Sequence, residues 1–407
     1  MDRGGEISDS IPDDLIVEIF SRLPAKSAAR FRCLSKLWYS MLHRSYFTEL
    51  FLTRSRTRPR LLFVFELSGK FSVYSSPQLQ NPYKKSSLVA PVDLDMMSLD
   101  FDGFTSGLIY FSSMYFWDKS GLDLESSRPV IYNPSTKHYV SLPKQPRSRH
   151  RRYMGSFLGF DPIDKQFKVL WIRTTGISSY KILTLGTGKM RWRNIQSPLN
   201  HEAYKPCLCI NGVLYYLASS SSDSSFTPLL VCFDVRSEKF KFIDAEFFAY
   251  IRTQFINYKG RFGVTQWKND GELRVWVLED VEKQKWSKNV YTFPAINEIV
   301  GVAGATSTGD IVLSMRYRTS KPFYVFYFNL ERNTLQSVEI QGFGECDDEN
   351  SYSVNVFVDY VEDLNLNDAK YLNSIKGQNH KENSATTLSL KNKQQTTFLL
   401  NKLRTNY

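Results

Sequence analysis

A two-strand motif that recurs along the chain places the strongest limit on its fold. Each copy is a strand, a polar turn and a second strand, and the copies recur about every 45 to 50 residues. The five copies are VIYNPSTKHYVSL from Val130, YKILTLGTGKMRWRNI from Tyr180, LVCFDVRSEKFKFI from Leu230, LRVWVLEDVEKQKWSKNV from Leu273 and FYVFYFNLERNTLQSVEI from Phe323. A second hairpin pattern precedes each copy, so every period predicts four strands. Repeats of this length and content are typical of the blades of a β-propeller.

Two further stretches lie outside these five periods and provide strands for a sixth blade. Strand patterns follow Arg60, and a late strand, SVNVFVDYV, begins at Ser353. If these stretches pair, the two ends of the β region close the ring and leave no sheet edge exposed. We therefore expect a mostly antiparallel all-β domain, a β-propeller of about six blades, with five to seven compatible with the pattern. A β-sandwich without radial symmetry is the alternative fold.

A short segment of helical character precedes the β region. Its first helix has apolar residues at steps of one, three or four, namely Leu15, Ile16, Ile19, Phe20 and Leu23. Pro12 suits the first turn of this helix, Pro24 stops it, and Ser27 is the expected N-cap of a second helical stretch. That stretch has apolar positions at Ala28, Phe31, Leu34, Leu37, Trp38, Met41 and Leu42. So small a unit with so many apolar residues predicts a docking module that completes its core on a partner. The alternative is a helical cap on the larger domain.

The helical segment resembles an F-box, and in particular the plant form. The matching features are Ile11-Pro12 followed by Asp14-Leu15, then EIFSRLPAKS, then RFRCLSKLWYSML. The resemblance implies binding to the Skp-type adaptor of a Skp–cullin–F-box ubiquitin ligase, and through it to a cullin. Carried over by position, the adaptor-binding residues are Ile11, Pro12, Leu15, Ile19, Leu23, Pro24, Cys33, Leu34 and Trp38. Leucine is commoner in the family at the positions of Ile11 and Ala28, so the smaller Ala28 is expected to weaken docking.

The β region resembles the F-box-associated domain of plant F-box proteins over residues 95 to 340. The segments that carry this resemblance are VIYNPSTKHYVSLP, FLGFDPIDKQFKVL, CINGVLYYLA and LLVCFDVRSEKF. In that family the domain is taken to recruit the protein destined for ubiquitination. The resemblance therefore implies a protein substrate, whose identity the sequence does not give.

Composition and charge set the expected domain limits. We predict an F-box over residues 5–51, a basic connector over 52–60, the β-propeller over 61–362 and a disordered tail over 363–407. Of the net charge of +11, about +6 falls in the segment from Lys370 to Tyr407. Two arginine clusters, RSRTRPR from Arg54 and RSRHRR from Arg147, lie in apparent connectors, which leaves the folded body roughly balanced. A nucleic-acid partner is for this reason not expected.

Some short stretches resemble phosphate-binding or metal-binding motifs, but none has the spacing that such a site requires. LGTGK at 185–189 lacks the spacing of a phosphate-binding loop, and His201, Cys207 and Cys209 lack a second pair at zinc spacing. No Gly-x-Ser-x-Gly nucleophile motif occurs. We predict no catalytic residue, no metal site and no cofactor.

The five sparse cysteines indicate reduced thiols, and neither a signal peptide nor a membrane span is found. We expect a protein of the cytoplasm, the nucleus or both. The sequence predicts a non-catalytic substrate receptor of a ubiquitin ligase. The rival hypothesis is a β-propeller enzyme or carbohydrate-binding protein with a helical appendage.

Overall fold

The computed structural model describes residues 11–364, except 68–69, 79–85, 88–91, 116, 119–120, 123–127, 145–153, 174–177, 187–189, 221–227, 246–252, 269–270, 294–299, 320–321 and 344–351. Apart from residues 363–364, the expected tail lies outside the described residues. Four helices come first: α1 (Asp13–Phe20), α2 (Ala25–Arg32), α3 (Lys36–Leu42) and α4 (Ser45–Arg56).

Two prolines start helices in this unit. Pro12 immediately precedes α1, and Asp13 and Asp14 occupy its first turn, where carboxylates favour the positive end of the helix dipole. Pro24 immediately precedes α2, with φ −60°. Because proline has this φ and needs no hydrogen-bond partner for its nitrogen, α2 begins at Ala25. The expectation that Ser27 caps this helix was therefore wrong.

The expected basic connector is largely helical. Helix α4 continues to Arg56, and Phe51 and Ser55 are buried on its inner face. Because this face is buried, the helix continues through the residues whose arginines had suggested a solvated linker. Only residues 57–59 separate α4 from the first strand.

The remaining described elements are strands. Their bounds are β1 (Arg60–Leu67), β2 (Lys70–Pro77), β3 (Ser86–Ser87), β4 (Val92–Thr105), β5 (Leu108–Tyr115), β6 (Trp117–Asp118), β7 (Gly121–Leu122), β8 (Arg128–Asn133), β9 (His138–Ser141), β10 (Met154–Asp161), β11 (Gln166–Arg173), β12 (Ser179–Thr184), β13 (Arg193–Ile195), β14 (His201–Ile210), β15 (Val213–Ser220), β16 (Pro228–Asp234), β17 (Phe240–Asp244), β18 (Thr253–Tyr258), β19 (Arg261–Trp267), β20 (Glu272–Asp280), β21 (Lys285–Thr292), β22 (Val300–Ala305), β23 (Asp310–Met315), β24 (Tyr317–Arg318), β25 (Phe323–Asn329), β26 (Thr334–Gln341) and β27 (Tyr352–Tyr360).

These strands form a six-bladed β-propeller, as the repeat predicted. From the inside outward, blade one is β4-β5-β8-β9, blade two β10 to β13, blade three β14 to β17, blade four β18 to β21, and blade five β22-β23-β25-β26. Blade six contains β27, β1 and β2. The inner strands β4, β10, β14, β18, β22 and β27 neighbour one another around the central channel. The pairing is antiparallel except for a short parallel contact of β26 with β3.

Blade six closes the ring by joining the two ends of the β region. Strand β27 pairs with β1 in an antiparallel register that places Val356 opposite Phe63 and Asn355 opposite Val64. Strand β2 then pairs with the start of β4, whose later part is the inner strand of blade one. The predicted pairing of the strands after Arg60 with the late strand is thus confirmed.

The core of the β-propeller lies between neighbouring blades. Among the described residues, one apolar cluster fills each of the six spaces between blades. For example, Phe63 and Val356 of blade six pack with Val325 of blade five. Alternation along each strand sends successive side chains to the two faces of its blade, so that each blade contributes to two clusters.

Candidate functional site

The helical unit has a compact aromatic core of its own. The Phe20 ring stacks on Phe31 with centroids 4.6 Å apart, and Trp38 meets both rings edge-on at 5.2 and 5.5 Å. Ala28 is completely buried in the same cluster. The smaller Ala28 was expected to weaken docking by burying less surface on a partner. The structure instead places this side chain inside the unit, where it does not reach a partner.

Apolar side chains on the outside of this core remain exposed. Leu15 and Ile19 lie four residues apart on α1 and are 53% and 50% exposed, and Ile11 just before the helix is 57% exposed. Leu34, between α2 and α3, is 69% exposed. Residues four apart share one helix face, so Leu15 and Ile19 present neighbouring apolar surface to solvent.

The other predicted adaptor-binding residues divide into two groups. Pro12, Pro24 and Cys33 are exposed, and Cys33 is a free cysteine. Leu23 and Trp38 are partly buried against the aromatic core, so each has one side available to a partner. The structure thus exposes at least part of all nine residues, and their role in adaptor binding stays a prediction.

Three exposed side chains were not among the predicted site residues. Leu37 and Tyr39 of α3 and Tyr46 of α4 are each more than half exposed. Leu37 was visible in the apolar pattern of the sequence, whereas the two tyrosines carried no periodic signal. They add to the exposed apolar surface of the helical unit. We use the name apolar face for its exposed large apolar side chains taken together: Ile11, Leu15, Ile19, Leu34, Leu37, Tyr39 and Tyr46.

An ion pair fixes α1 against α4. One Glu18 carboxylate oxygen lies 2.5 Å from an Arg54 nitrogen, and the other lies 2.5 Å from Arg22. The hydrogen bond from Arg54 holds the pKa of the Glu18 carboxyl below its ordinary value. Arg54 also donates to the Glu18 carbonyl at 2.9 Å, so a single guanidinium ties the end of α1 to α4.

Contacts from the residues just before β1 and just after β27 hold the helical unit in place. Arg58 donates to the carbonyl oxygens of Ser21 at 3.1 Å and Leu23 at 2.9 Å, which satisfies groups left free where α1 ends. After β27, the Glu362 carboxylate accepts a hydrogen bond of 3.1 Å from the Ala25 amide at the start of α2. Leu364 is buried in the core of the helical unit. These contacts hold the apolar face in one orientation relative to the ring.

A cavity of about 1000 Å³ occupies the centre of the ring. Residues of all six inner strands line its wall. Helix α4 lines one end of the cavity. The inner strands finish at this end, because α4 leads into β1 and Arg60 at the start of β1 pairs with Tyr360 at the end of β27. The α4 residues at this end are Ser45, Thr48, Glu49, Leu52 and Arg56. The opposite end includes Gln254, Gly301, Arg316, Tyr317 and Ser353.

The histidine and cysteines weighed as metal ligands are engaged elsewhere. The His201 ring lies between the Leu199 carbonyl, at 3.0 Å, and the Tyr216 hydroxyl, at 2.8 Å. Burial lowers the pKa of His201 to about 4 and raises the pKa values of Cys207 and Cys209 to about 12 and 11. Within the described ranges, no three His, Cys, Asp or Glu side chains gather as metal ligands would. No described helix is long and apolar enough to span a membrane.

The fold defines a six-bladed β-propeller with an N-terminal helical unit that exposes an apolar face. The family model described as "F-box domain" matches residues 8–50, and the model described as "F-box associated beta propeller domain" matches residues 60–361. The chain belongs to the F-box proteins with an F-box-associated β-propeller domain.

Several plant relatives are similar over nearly their whole length. F-box protein At3g57590 of Arabidopsis thaliana is 48% identical, over 90% of this chain and 94% of that protein. F-box proteins At2g15640 and At2g16450 of the same plant are 44% and 43% identical, each over about nine-tenths of this chain, and over 96% and 95% of their own lengths.

Proposed function

We propose that this chain is the substrate-recognition subunit of a Skp–cullin–F-box ubiquitin ligase in the cytoplasm or nucleus. In this proposal the apolar face binds a Skp-type adaptor and, through it, a cullin. The β-propeller binds a protein substrate. The chain acts by raising the local concentration of substrate lysines near the ubiquitin-carrying enzyme, so none of its residues performs bond chemistry.

The observation that carries the proposal is the exposed apolar face on an otherwise well-packed helical unit. Leu15, Ile19 and Leu34 keep half or more of their surface in water although the aromatic core behind them is complete. Burying the exposed part of each such side chain contributes on the order of 1 kcal/mol to association. Several such side chains together give a favourable interface, so we expect a protein partner to bury this surface.

The topology of the ring supports a division between an adaptor side and a substrate side. On the side of the helical unit, inner strands return through short turns such as residues 106–107, 211–212 and 259–260. On the opposite side one blade ends and the next begins, and the strands that meet there are farther apart in the sequence: β9 ends at Ser141 and β10 begins at Met154, and β26 ends at Gln341 and β27 begins at Tyr352. Longer connections on a rigid scaffold offer more variable surface for recognition.

Adaptor binding is tested with the double variant Leu15→Asp/Ile19→Asp. A carboxylate in the buried centre of an apolar interface is costly, so we expect the affinity for a Skp-type adaptor to fall at least about 100-fold. The measurement is calorimetric titration of the full chain with purified adaptor. Val290→Asp is the matched control, because Val290 is 49% exposed on the outer strand of blade four. Equal adaptor affinity of the double variant and the control would refute this part of the proposal.

Substrate binding is tested with the same variants in affinity purification from plant tissue. The whole chain is used, since removing the helices would uncover Leu364 and the cavity end lined by α4. We expect adaptor and cullin to disappear from the Leu15→Asp/Ile19→Asp sample, and substrates to persist in it. If every bound protein disappears together, the β-propeller does not recruit a substrate on its own.

A further inference from the structure

The central cavity has apolar side chains along its wall and one cationic group near the end away from α4. Phe104, Phe160, Leu208, Val302 and Phe357 line the wall, each from a different inner strand. The volume of about 1000 Å³ lies within the size range of small-molecule sites. Such a wall suits the hydrocarbon body of an organic ligand.

Arg316 is the cationic group, and its guanidinium has no acceptor among the described residues. Its Nε atom is buried without a hydrogen-bond partner. A buried donor without an acceptor is unfavourable, and more so when it carries charge. The arginine follows β23 and lies beside β22, on the blade-five side of the cavity.

Gly301 of β22 makes room for this guanidinium at the cavity wall. A Cβ atom placed on Gly301 would lie 2.9 Å from the Arg316 Nε, closer than Cβ atoms come to other atoms in real structures, and 3.3 Å from its Cγ, which is a tight contact. The backbone of Gly301 does not have a positive φ, so its conformation would accept another residue. The glycine is thus needed for the close approach of the arginine.

We propose that the central cavity binds a small organic monocarboxylate, with the carboxylate on Arg316 and the apolar body along the channel wall. The planar guanidinium donates two parallel hydrogen bonds to a carboxylate. The other described residues at this end of the cavity are uncharged: Pro206, Gln254, Gly301, Ser314, Tyr317, Ser353 and Val354. A single positive charge among uncharged neighbours matches one negative charge, which favours a monocarboxylate over a doubly charged phosphate. Helix α4 bounds the other end, so the ligand lies within the ring.

The test uses three monocarboxylates, octanoate, 4-phenylbutyrate and 2-naphthoate, each beside its uncharged primary amide. Binding to the full-length chain is measured by saturation-transfer NMR and titration calorimetry. We expect at least one acid to bind at roughly millimolar concentration or below, at least tenfold more tightly than its amide. The proposal is wrong if none of the acids binds, or if acids and amides bind equally.

Variants connect any binding to the proposed site. Arg316→Met should weaken binding of the acid at least tenfold, and Arg316→Lys should restore part of it because the charge returns without the planar pair of donors. Gly301→Ala displaces the guanidinium with the charge retained and should also weaken binding. Arg332→Met, in an exposed turn, is the control and should bind like the unaltered chain. Unchanged acid binding by Arg316→Met with an unchanged melting temperature would overturn the proposal.

This inference does not depend on the proposed ligase function. The Leu15→Asp/Ile19→Asp variant, which should lose the adaptor, should bind the monocarboxylate as the unaltered chain does. Loss of adaptor binding and loss of ligand binding are therefore separate results.

Discussion

At the scale of single residues, burial changes the acid–base chemistry of His201. The side chain is completely inaccessible, and removal from water lowers its pKa from 6.5 to about 4. The histidine is therefore neutral in the folded protein near pH 7, with the Leu199 carbonyl and the Tyr216 hydroxyl as its neighbours. In the unfolded chain it takes up a proton at a higher pH, near its ordinary pKa.

This difference predicts a loss of stability in acid. Above about pH 6.5 the stabilising contribution of neutral His201 is fully present, and it is lost as the pH falls toward 4, by about 1.4 kcal/mol per pH unit for the one proton. The variant His201→Gln should be less stable at pH 7.5 but should lose stability less steeply between pH 6.5 and 4.5. Urea unfolding at several pH values measures both slopes, and equal slopes would contradict the assignment.

At the scale of elements, helix α2 depends on residues from the far end of the β-propeller. Pro24 offers no capping side chain, and the Ala25 amide instead donates to Glu362. Leu364, two residues later, is buried among the aromatic residues of the helical unit. The helical unit therefore completes its core with a segment that lies more than 300 residues away in the sequence.

Removing these contacts should loosen the helices. Leu364→Ala should destabilise the helical unit by about 2–4 kcal/mol, the cost of a cavity in a core, and Glu362→Ala by about 1 kcal/mol, the cost of a lost cap. Leu335→Ala, at an exposed position on β26, is the control and should change stability by less than about 0.5 kcal/mol. Hydrogen exchange of the α1 and α2 amides measures the effect. Unchanged protection in Leu364→Ala would show that the unit is stable without this contact.

At the scale of the whole molecule, the closure of blade six holds the ring together. Strand β27 is the inner strand of that blade, and it contributes to the apolar clusters on both of its sides. Without it, β1 would have an exposed edge and the neighbouring blades would lose their cover. Closed rings are stable because no such edge remains.

Two shortened chains test this arrangement. A chain that ends at Asn350 lacks β27 and should lose cooperative thermal unfolding and aggregate. A chain that ends at Asn365 keeps β27 and Leu364 and should melt at the temperature of the full chain, because it keeps every described contact of the ring and the helical unit. Differential scanning calorimetry distinguishes them. A cooperative transition in the shorter chain would show that the ring does not need closure by its last strand.

Much of the architecture was predictable because its signals are local. The hairpin repeat indicated the blades, and the unpaired strands after Arg60 and from Ser353 indicated the closing blade, since an open ring would expose two edges. The helical pattern also identified residues such as Leu15 and Ile19 that the structure leaves exposed. It did not separate them from Ala28, because apolar periodicity marks a face without saying whether a partner or the chain itself covers it.

The sequence by itself determined the kinds of element, the repeat and the family, because turn chemistry and side-chain alternation act over a few residues. Only the tertiary structure decided that Glu362 caps α2, that Leu364 fills the helical core and that Arg316 faces the cavity beside Gly301. Each of these contacts joins residues that are separate in the chain and adjacent only after the ring closes. Burial and hydrogen bonding depend on that final proximity, which no local pattern records.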